Sequence, residues 1–380
     1  MAKIKDVIFE YSVRNKANEN INVYSVTNEK GFCTDYFSKE VASKDKTAYK
    51  IVPRGYFAYN PSRINVGSID WQNHEDRVIV SPLYVVFGVS EHIDQQYLLY
   101  YLKSDIMLSL IKESATGSVR DNLKLSTLEE FPINLCPIDE QRHIAAVLDK
   151  VGNLITKRKQ QLDKLDEMTK AKFVEMFGDT ILNPNHLQSI PLQNMADIVS
   201  GITKGRKTNN TELFEVPYMA VSNVKAGHID WTTVKTIEAT KAEIEQYRLL
   251  PYDVLITEGG DPDKLGRGAI IKGPPKNCIH QNHIFRVRTD RTKLLPQYFE
   301  EYLQHAKAKK YFLNCAKQTT GIASINMKQL RNLPVLLPNW KQQMEFSAFV
   351  EQIDRQKLTI KRSFDKLEVL KKALMQEYFE

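Results

Sequence analysis

Cys278, His280 and His283 fall in the pattern C-x-H-x-x-H, a thiol and two imidazoles close enough in sequence to share a metal ion. A fourth ligand is not evident, and on a strand Cys278 and His280 would share one face while His283 takes the other. Strand or groove-lining roles are the favoured reading, with a structural metal as the alternative. Asp253, Glu258, Asp261, Asp263 and Lys264 resemble a nuclease carboxylate set out of order. The acidic-x-Lys element is missing, so a loop around two glycines is preferred to metal-dependent cleavage. The chain has no GxxxxGK[ST] phosphate loop, no GxGxxG after a strand, no GxSxG elbow and no HExxH. Asn60-Pro61 and Asn183-Pro184 do not continue into the Asn/Asp-Pro-Pro-aromatic signature of amino-methyltransferases. Catalysis is therefore not expected of this chain.

The polar loops carry more information. Base edges and phosphates are read by Arg, Lys, Asn, Gln, Ser and Thr on loops held by a rigid domain. The first half offers Tyr59, Arg63 and Asn65 in one loop and Ser118 and Arg120 in another. The second half offers Lys204, Arg206 and Lys207, then Asn223, then Lys264 and Arg267, then Gln281, Asn282 and His283, with Thr320 further on. Any one of these stretches could be a solvated surface loop. Their recurrence in both halves makes DNA the expected partner.

Composition is compatible with that. The 380 residues are 42% hydrophobic, enough for two or three packed domains, and carry a formal charge of +7 with a pI near 8.9. Four scattered cysteines with no CxxC pair fit free thiols in a reducing cytoplasm. The most apolar run, Val78 to Val89, is interrupted by Ser81 and Pro82 and is too short to span a bilayer. A soluble, cytoplasmic protein without a membrane partner is expected.

The elements that must position these loops come in duplicate. Asp163, Lys164 and Leu165 return as Asp365, Lys366 and Leu367, and Lys170, Ala171, Glu175 and Phe177 return as Lys372, Ala373, Glu377 and Phe379. Gln95-Gln96-Tyr97-Leu98 with Tyr101-Leu102 is echoed by Pro296-Gln297-Tyr298-Phe299 with Tyr302-Leu303, and Thr116-Gly117 by Thr320-Gly321. Apolar residues at Ile144, Leu148, Val151, Ile155, Leu162 and Leu165, and at Phe346, Val350, Ile353, Ile360, Phe364 and Leu367, follow the three-and-four spacing of a coiled-coil seam. Pro137 and Asn339 precede the two helices. Each needs a partner for its stripe, and antiparallel pairing of the two is preferred to each lying on its own domain. The expected division is 1–136, a helix over 137–180, 181–338, and a second helix over 339–380.

With these parts in order, the chain resembles the specificity subunit of Type I restriction-modification systems. The resemblance covers nearly the whole chain and rests on the two-repeat plan, on FPINLCPIDEQRHIAAVLDKV and LPVLLPNWKQQMEFSAFVEQI, on YNPSRINVGSI and on TEGGDPDKLGRGAI. It implies an α/β protein: two mixed α/β, β-rich target recognition domains joined by two long antiparallel coiled-coil helices with pseudo-two-fold symmetry. It further implies that each domain reads one half of a split double-stranded DNA site. Two methyltransferase subunits, and then restriction subunits, would assemble on the chain. S-adenosylmethionine, ATP and magnesium would belong to those partners, with no cofactor bound by this chain. A stand-alone DNA-binding regulator, or a self-contained methyltransferase or nuclease, are the competing readings.

Overall fold

A computed structural model describes residues 2–34, 45–114, 122–207, 212–261, 265–319 and 322–379. Contacts divide the chain into two units, Met1–Gln160 with Lys361–Glu380, and Gln161–Ile360. The division passes through both long helices, Ile138–Phe177 and Trp340–Phe379, so each unit holds one part of each helix beside its own sheets. Each helix has 40 residues, which at 1.5 Å per residue is about 60 Å.

Each unit is built on a four-stranded antiparallel sheet, and the two sheets have the same strand order. In the first, Ile8–Glu10, Val85–Val89, Phe57–Tyr59 and Ile69–Trp71 lie side by side in that sequence. The second places Ala196–Ser200, Ile284–Thr289, Val254–Thr257 and Gly268–Ile270 likewise. In chain order both read first, fourth, second, third. The apolar run Val78–Val89 becomes two strands in different sheets, because Ser81 and Pro82 separate Arg77–Val80, paired with Lys50–Pro53, from Val85–Val89. In the second unit a three-stranded sheet of Lys235–Ala239, Phe214–Met219 and Ile279–His280 stands beside the main one.

The repeated tyrosines are structural. Tyr97 donates its hydroxyl hydrogen to the Asn134 carbonyl at 2.9 Å and Tyr101 to that of Pro132 at 2.5 Å. Tyr298 and Tyr302 repeat this on Leu336 and Pro334 at 2.5 and 2.6 Å. Each pair thus binds its helix to the strand that leads into a long helix, Pro132–Ile133 or Pro334–Leu337. Rings this large bury well only when their polar tip is satisfied. A fully buried glutamine does the same for the start of each long helix. Gln141 donates to the carbonyls of His92 and Cys136 and accepts from Asp94 N, while Gln343 donates to those of Lys293 and Pro338 and accepts from Leu295 N.

Within each unit the helical parts run antiparallel, as the seam predicts. In the first, Arg158 Nε donates to Ser363 Oγ at 3.2 Å, and Ile144 and Leu148 share a core with Leu374, Met375 and Phe379. In the second, Lys357 pairs with Asp166, and Phe173 and Phe177 close on Phe346. The repeated end motif has a definite job. Phe379 packs on Tyr97 and Tyr101 in the first unit, and Phe177 packs on Tyr298 in the second. Each helix therefore ends as a plug in a core it shares with the opening turns of the other helix.

Candidate nucleic-acid interface

Strand pairing brings together loops that are far apart in sequence. In the second unit the antiparallel order places the end of Ala196–Ser200, the end of Val254–Thr257, the start of Gly268–Ile270 and the start of Ile284–Thr289 at one end of the sheet. Lys204 to Lys207, Glu258 to Gly260, Arg267 and Gln281 to His283 continue from those four strand ends. The corresponding end of the first sheet carries the loop from Asn60 to Ser68, which joins Phe57–Tyr59 to Ile69–Trp71. Polar groups gathered at one edge of a rigid sheet form a surface able to follow a phosphate backbone and reach base edges.

The first loop is shaped by its own polar groups. Asn60 Oδ1 accepts from Ser62 N at 3.1 Å and from Ser62 Oγ at 2.9 Å, an Asx turn that precedes exposed Arg63. Asn65 is half-buried on the short helix Ile64–Val66. Leu123 N donates to the Pro61 carbonyl, so Leu123 lies against this loop. In the second unit Ile325 N donates to the Glu258 carbonyl in the same manner. Ser118, Arg120, Lys264 and Thr320 themselves lie outside the described residues.

Two of the expected contact residues are corrected by their burial. Tyr59 is fully buried and donates its hydroxyl hydrogen to the Leu123 carbonyl at 3.1 Å, so it supports the loop from beneath. Asn223 is fully buried as well. Its Nδ2 donates to the Asp230 carbonyl and to Thr233 Oγ1, and its Oδ1 accepts from Ala220 N, which uses the whole amide to pin a turn. Arg206 is only partly exposed. Its guanidinium pairs with Glu243, whose carboxyl that contact holds down at about 2, and also donates to the Glu238 carbonyl. It braces the loop that presents Lys204 and Lys207, both exposed.

The C-x-H-x-x-H residues do not converge. Cys278 is buried in an apolar cluster and its thiol is pushed up to about 12 by burial. His280 is fully buried with its ring nitrogens against the carbonyls of Tyr247 and Val199, and burial lowers it to about 4. His283 is exposed and turned the other way, toward Glu258. Among the described residues no three His, Cys, Asp or Glu side chains are grouped to hold a metal ion.

Backbone demands fix the remaining loops. A Cβ at Gly201 would fall 2.0 Å from the His280 carbonyl oxygen, so only glycine lets the chain run this close before turning out to Lys204. Gly266 has φ +67° and lies against Phe312, setting the loop just before Arg267. Arg267 is half-buried, and its Nε is enclosed without a protein partner among the described residues. Gln281 and Asn282 are half-buried, with the Asn282 carbonyl accepting from Ser200 Oγ at 2.7 Å.

Two copies of one pattern are present. The model of the Type I restriction modification DNA specificity domain matches residues 3–166 and again 184–372. The chain belongs to that family. Among specificity subunits, that of EcoKI from Escherichia coli K12 is 25% identical over 273 residues, covering 68% of this chain and 58% of that one. The putative MjaX specificity subunit of Methanocaldococcus jannaschii is 27% identical over 190 residues, covering 50% and 45%. The chain thus matches about half the length of these curated specificity subunits. Two solved structures share the fold along its whole length. The S subunit from M. genitalium has a TM-score of 0.56 at 14% identity, covering 100% of this chain and 95% of that one. A chain from work on complex assembly and conformational transition of the type I R-M system has a TM-score of 0.57 at 16% identity, covering 100% and 97%. No helix among the described residues is long and apolar enough to cross a membrane.

The contact between Glu258 and His283 is not legible in the sequence. Glu258 stands 25 positions from His283, and only the pairing of Val254–Thr257 with Ile284–Thr289 brings the two together.

Proposed function

We propose that this chain is the DNA-recognition and assembly subunit of a Type I restriction-modification complex, reading a bipartite, asymmetric target. The recurrence of one sheet plan with a polar loop edge, dressed with different side chains in each unit, carries this reading. Two edges of equal architecture and unequal chemistry suit two half-sites of unequal sequence. The recognition domains are taken as residues 1–136 and 181–338, with the helices over 137–180 and 339–380 between and after them. Arg63 and Asn65 in the first, and Lys204, Lys207, Arg267, Gln281, Asn282 and His283 in the second, are the described residues proposed to face DNA. Exposed lysines and arginines supply the salt-dependent, sequence-independent part of binding, and the amides the base-dependent part.

The chain itself transfers no methyl group in this reading. Two methyltransferase subunits dock on it and bring S-adenosylmethionine, and restriction subunits bring ATP and magnesium. The two-copy plan of the chain accounts for a pair of identical partners. The purified chain with S-adenosylmethionine and DNA is expected to leave the DNA unmethylated, and to support methylation once a methyltransferase subunit is added. Native mass spectrometry is expected to find two such subunits at saturation. Methyl transfer by the chain alone, or a single copy at saturation, would refute the assignment.

A further inference from the structure

Net charge is concentrated in one stretch of the second unit. From Tyr302 to Met344 the sequence has no Asp or Glu and seven Lys and Arg, as many as the formal charge of +7 on the whole chain. The other 46 basic residues balance the 46 acidic ones. The matching stretch of the first unit, Tyr101 to Arg142, holds five basic and seven acidic residues. The duplication therefore repeats the fold here and not the charge.

Two short helices carry the exposed part of that charge. Ala306–Cys315 buries Ala308 and Phe312 and leaves Lys309 and Lys310 exposed, and Met327–Arg331 buries Leu330 and leaves Lys328 and Arg331 exposed. The helices are tied together beside these cations. Tyr311, next to Lys310, donates its hydroxyl hydrogen to the carbonyl of Gln329, next to Lys328, at 2.9 Å, and the Gln329 amide donates to the Cys315 carbonyl. Among the described residues no carboxylate pairs with any of the four. In the first unit Leu108, Ser109 and Ser126 stand where the lysines do and Glu129 where Arg331 does, while the adjoining Glu130 is answered by Lys3 and Lys5. The basic face also adjoins the loop edge. Lys317–Thr319, after the first helix, pairs with Ile322–Ser324, which pairs with Gly259–Gly260. Ile325, bonded to the Glu258 carbonyl, directly precedes Asn326, the cap of the second helix. The end of one helix and the start of the other thus abut the edge, and Lys310 lies about 8 Å back from the end of its helix.

We propose that Lys309, Lys310, Lys328 and Arg331 form a sequence-independent DNA contact, binding backbone phosphates beside the bases that the loop edge reads. The proposal rests on the DNA-recognition reading and adds to it a surface with no counterpart in the first unit. A polyanion complements a basic face that has no carboxylate of its own, and its continuity with the loop edge places one duplex within reach of both. Three of the four cations are lysines on exposed helix positions, flexible point charges that suit phosphates better than the fixed pattern of a base edge. Backbone contact is then unequal between the two halves of the target.

The test measures binding of the full-length chain to a duplex enriched from a randomised library and to an unrelated duplex, between about 50 and 200 mM salt. A variant combining Lys309→Gln, Lys310→Gln, Lys328→Gln and Arg331→Gln keeps good helix formers at all four positions. It is expected to bind both duplexes about tenfold to a hundredfold more weakly at the low-salt end, with the ratio between them unchanged. The slope of log affinity against log salt should become shallower by about 2 to 4. Exchanging the three lysines for Arg and Arg331 for Lys should preserve affinity and slope. Neutralising Lys164, Lys170, Lys361 and Lys366, exposed on the long helices, removes the same charge elsewhere and should leave binding near that of the unaltered chain. An equal loss from that control assigns the effect to overall charge and overturns the proposal. So does a four-site variant that binds DNA normally but no longer takes up methyltransferase subunits in native mass spectrometry, which would make the face a protein-docking surface. Unchanged binding by the four-site variant, with Arg267→Ala weakened, overturns the proposal alone. An unaltered chain that enriches no duplex overturns the underlying DNA-recognition reading.

Discussion

Inserting four residues beside Lys159 is expected to lengthen the unspecified spacer of the DNA target by one or two base pairs while both half-site sequences stay the same. At 1.5 Å and 100° per residue the insertion adds about 6 Å and rotates the rest of the helix by about 40° beyond a full turn. One base pair of B-DNA advances about 3.4 Å and turns by roughly 34°. Rotation thus asks for one extra base pair and translation for nearly two. Lys159 is exposed, so the insertion point itself disturbs no packed side chain. Arg158 with Ser363, and Asp166 with Lys357, hold the helical pairing near it and must accommodate the rotational error. Loss of activity through instability is separated from a change of spacing by assaying methylation on a DNA library with spacers of varied length. An unchanged preferred spacer in a folded, active insertion variant rules out a helix that sets the spacing.

Phe177→Ala is expected to cost about 3 to 5 kcal/mol and to act on the second unit. The ring is 2% exposed and meets Phe173, Tyr298 and Phe346 at centroid distances of 4.9, 5.0 and 5.5 Å. Removing it leaves a cavity among rings whose own positions are fixed by the Tyr298 hydroxyl on Leu336 and by the helix. The counterpart Phe379 is only half-buried, at 5.3 and 5.8 Å from Tyr97 and Tyr101, so Phe379→Ala should cost less and act on the first unit. Two units need not unfold together, and a single melting midpoint would mix them. Amide hydrogen exchange resolves the two. Protection should fall in Val254–Thr257 and Ile284–Thr289 for Phe177→Ala, and in Phe57–Tyr59 and Val85–Val89 for Phe379→Ala. Equal losses in both units from either change would contradict the plug arrangement.

The duplication and the helical seams are legible in the sequence because they are local patterns. Ile144, Leu148 and Val151, and Phe346, Val350 and Ile353, lie buried where the spacing puts them. Toward the middle of the helices Ile155, Leu162, Ile360 and Phe364 are half-buried, as expected where helix meets helix without a sheet beneath. What the sequence conceals is long-range. The shared strand order of the two sheets depends on pairings such as Phe57 with Phe87 and Ile256 with Phe285, which no periodicity announces. Tyr59 and Asn223 pass for contact residues because a polar tip in a loop looks the same whether it faces water or a buried carbonyl. The glutamines at 141 and 343 are hidden for the same reason, since a helix-start Gln gives no sign that it will be enclosed. His283 stands out for its spacing to Cys278, whereas its partner is Glu258, brought to it by strand pairing alone.

Central to the account is that each unit reads its own half of one split target. Replacing residues 1–136 with the corresponding domain of another family member, and mapping methylated bases across the genome of cells that make the complex, tests this most directly. One half of the recognition sequence should change while the other half and the spacer are retained. A target altered in both halves, or a single uninterrupted site before and after the exchange, would contradict it.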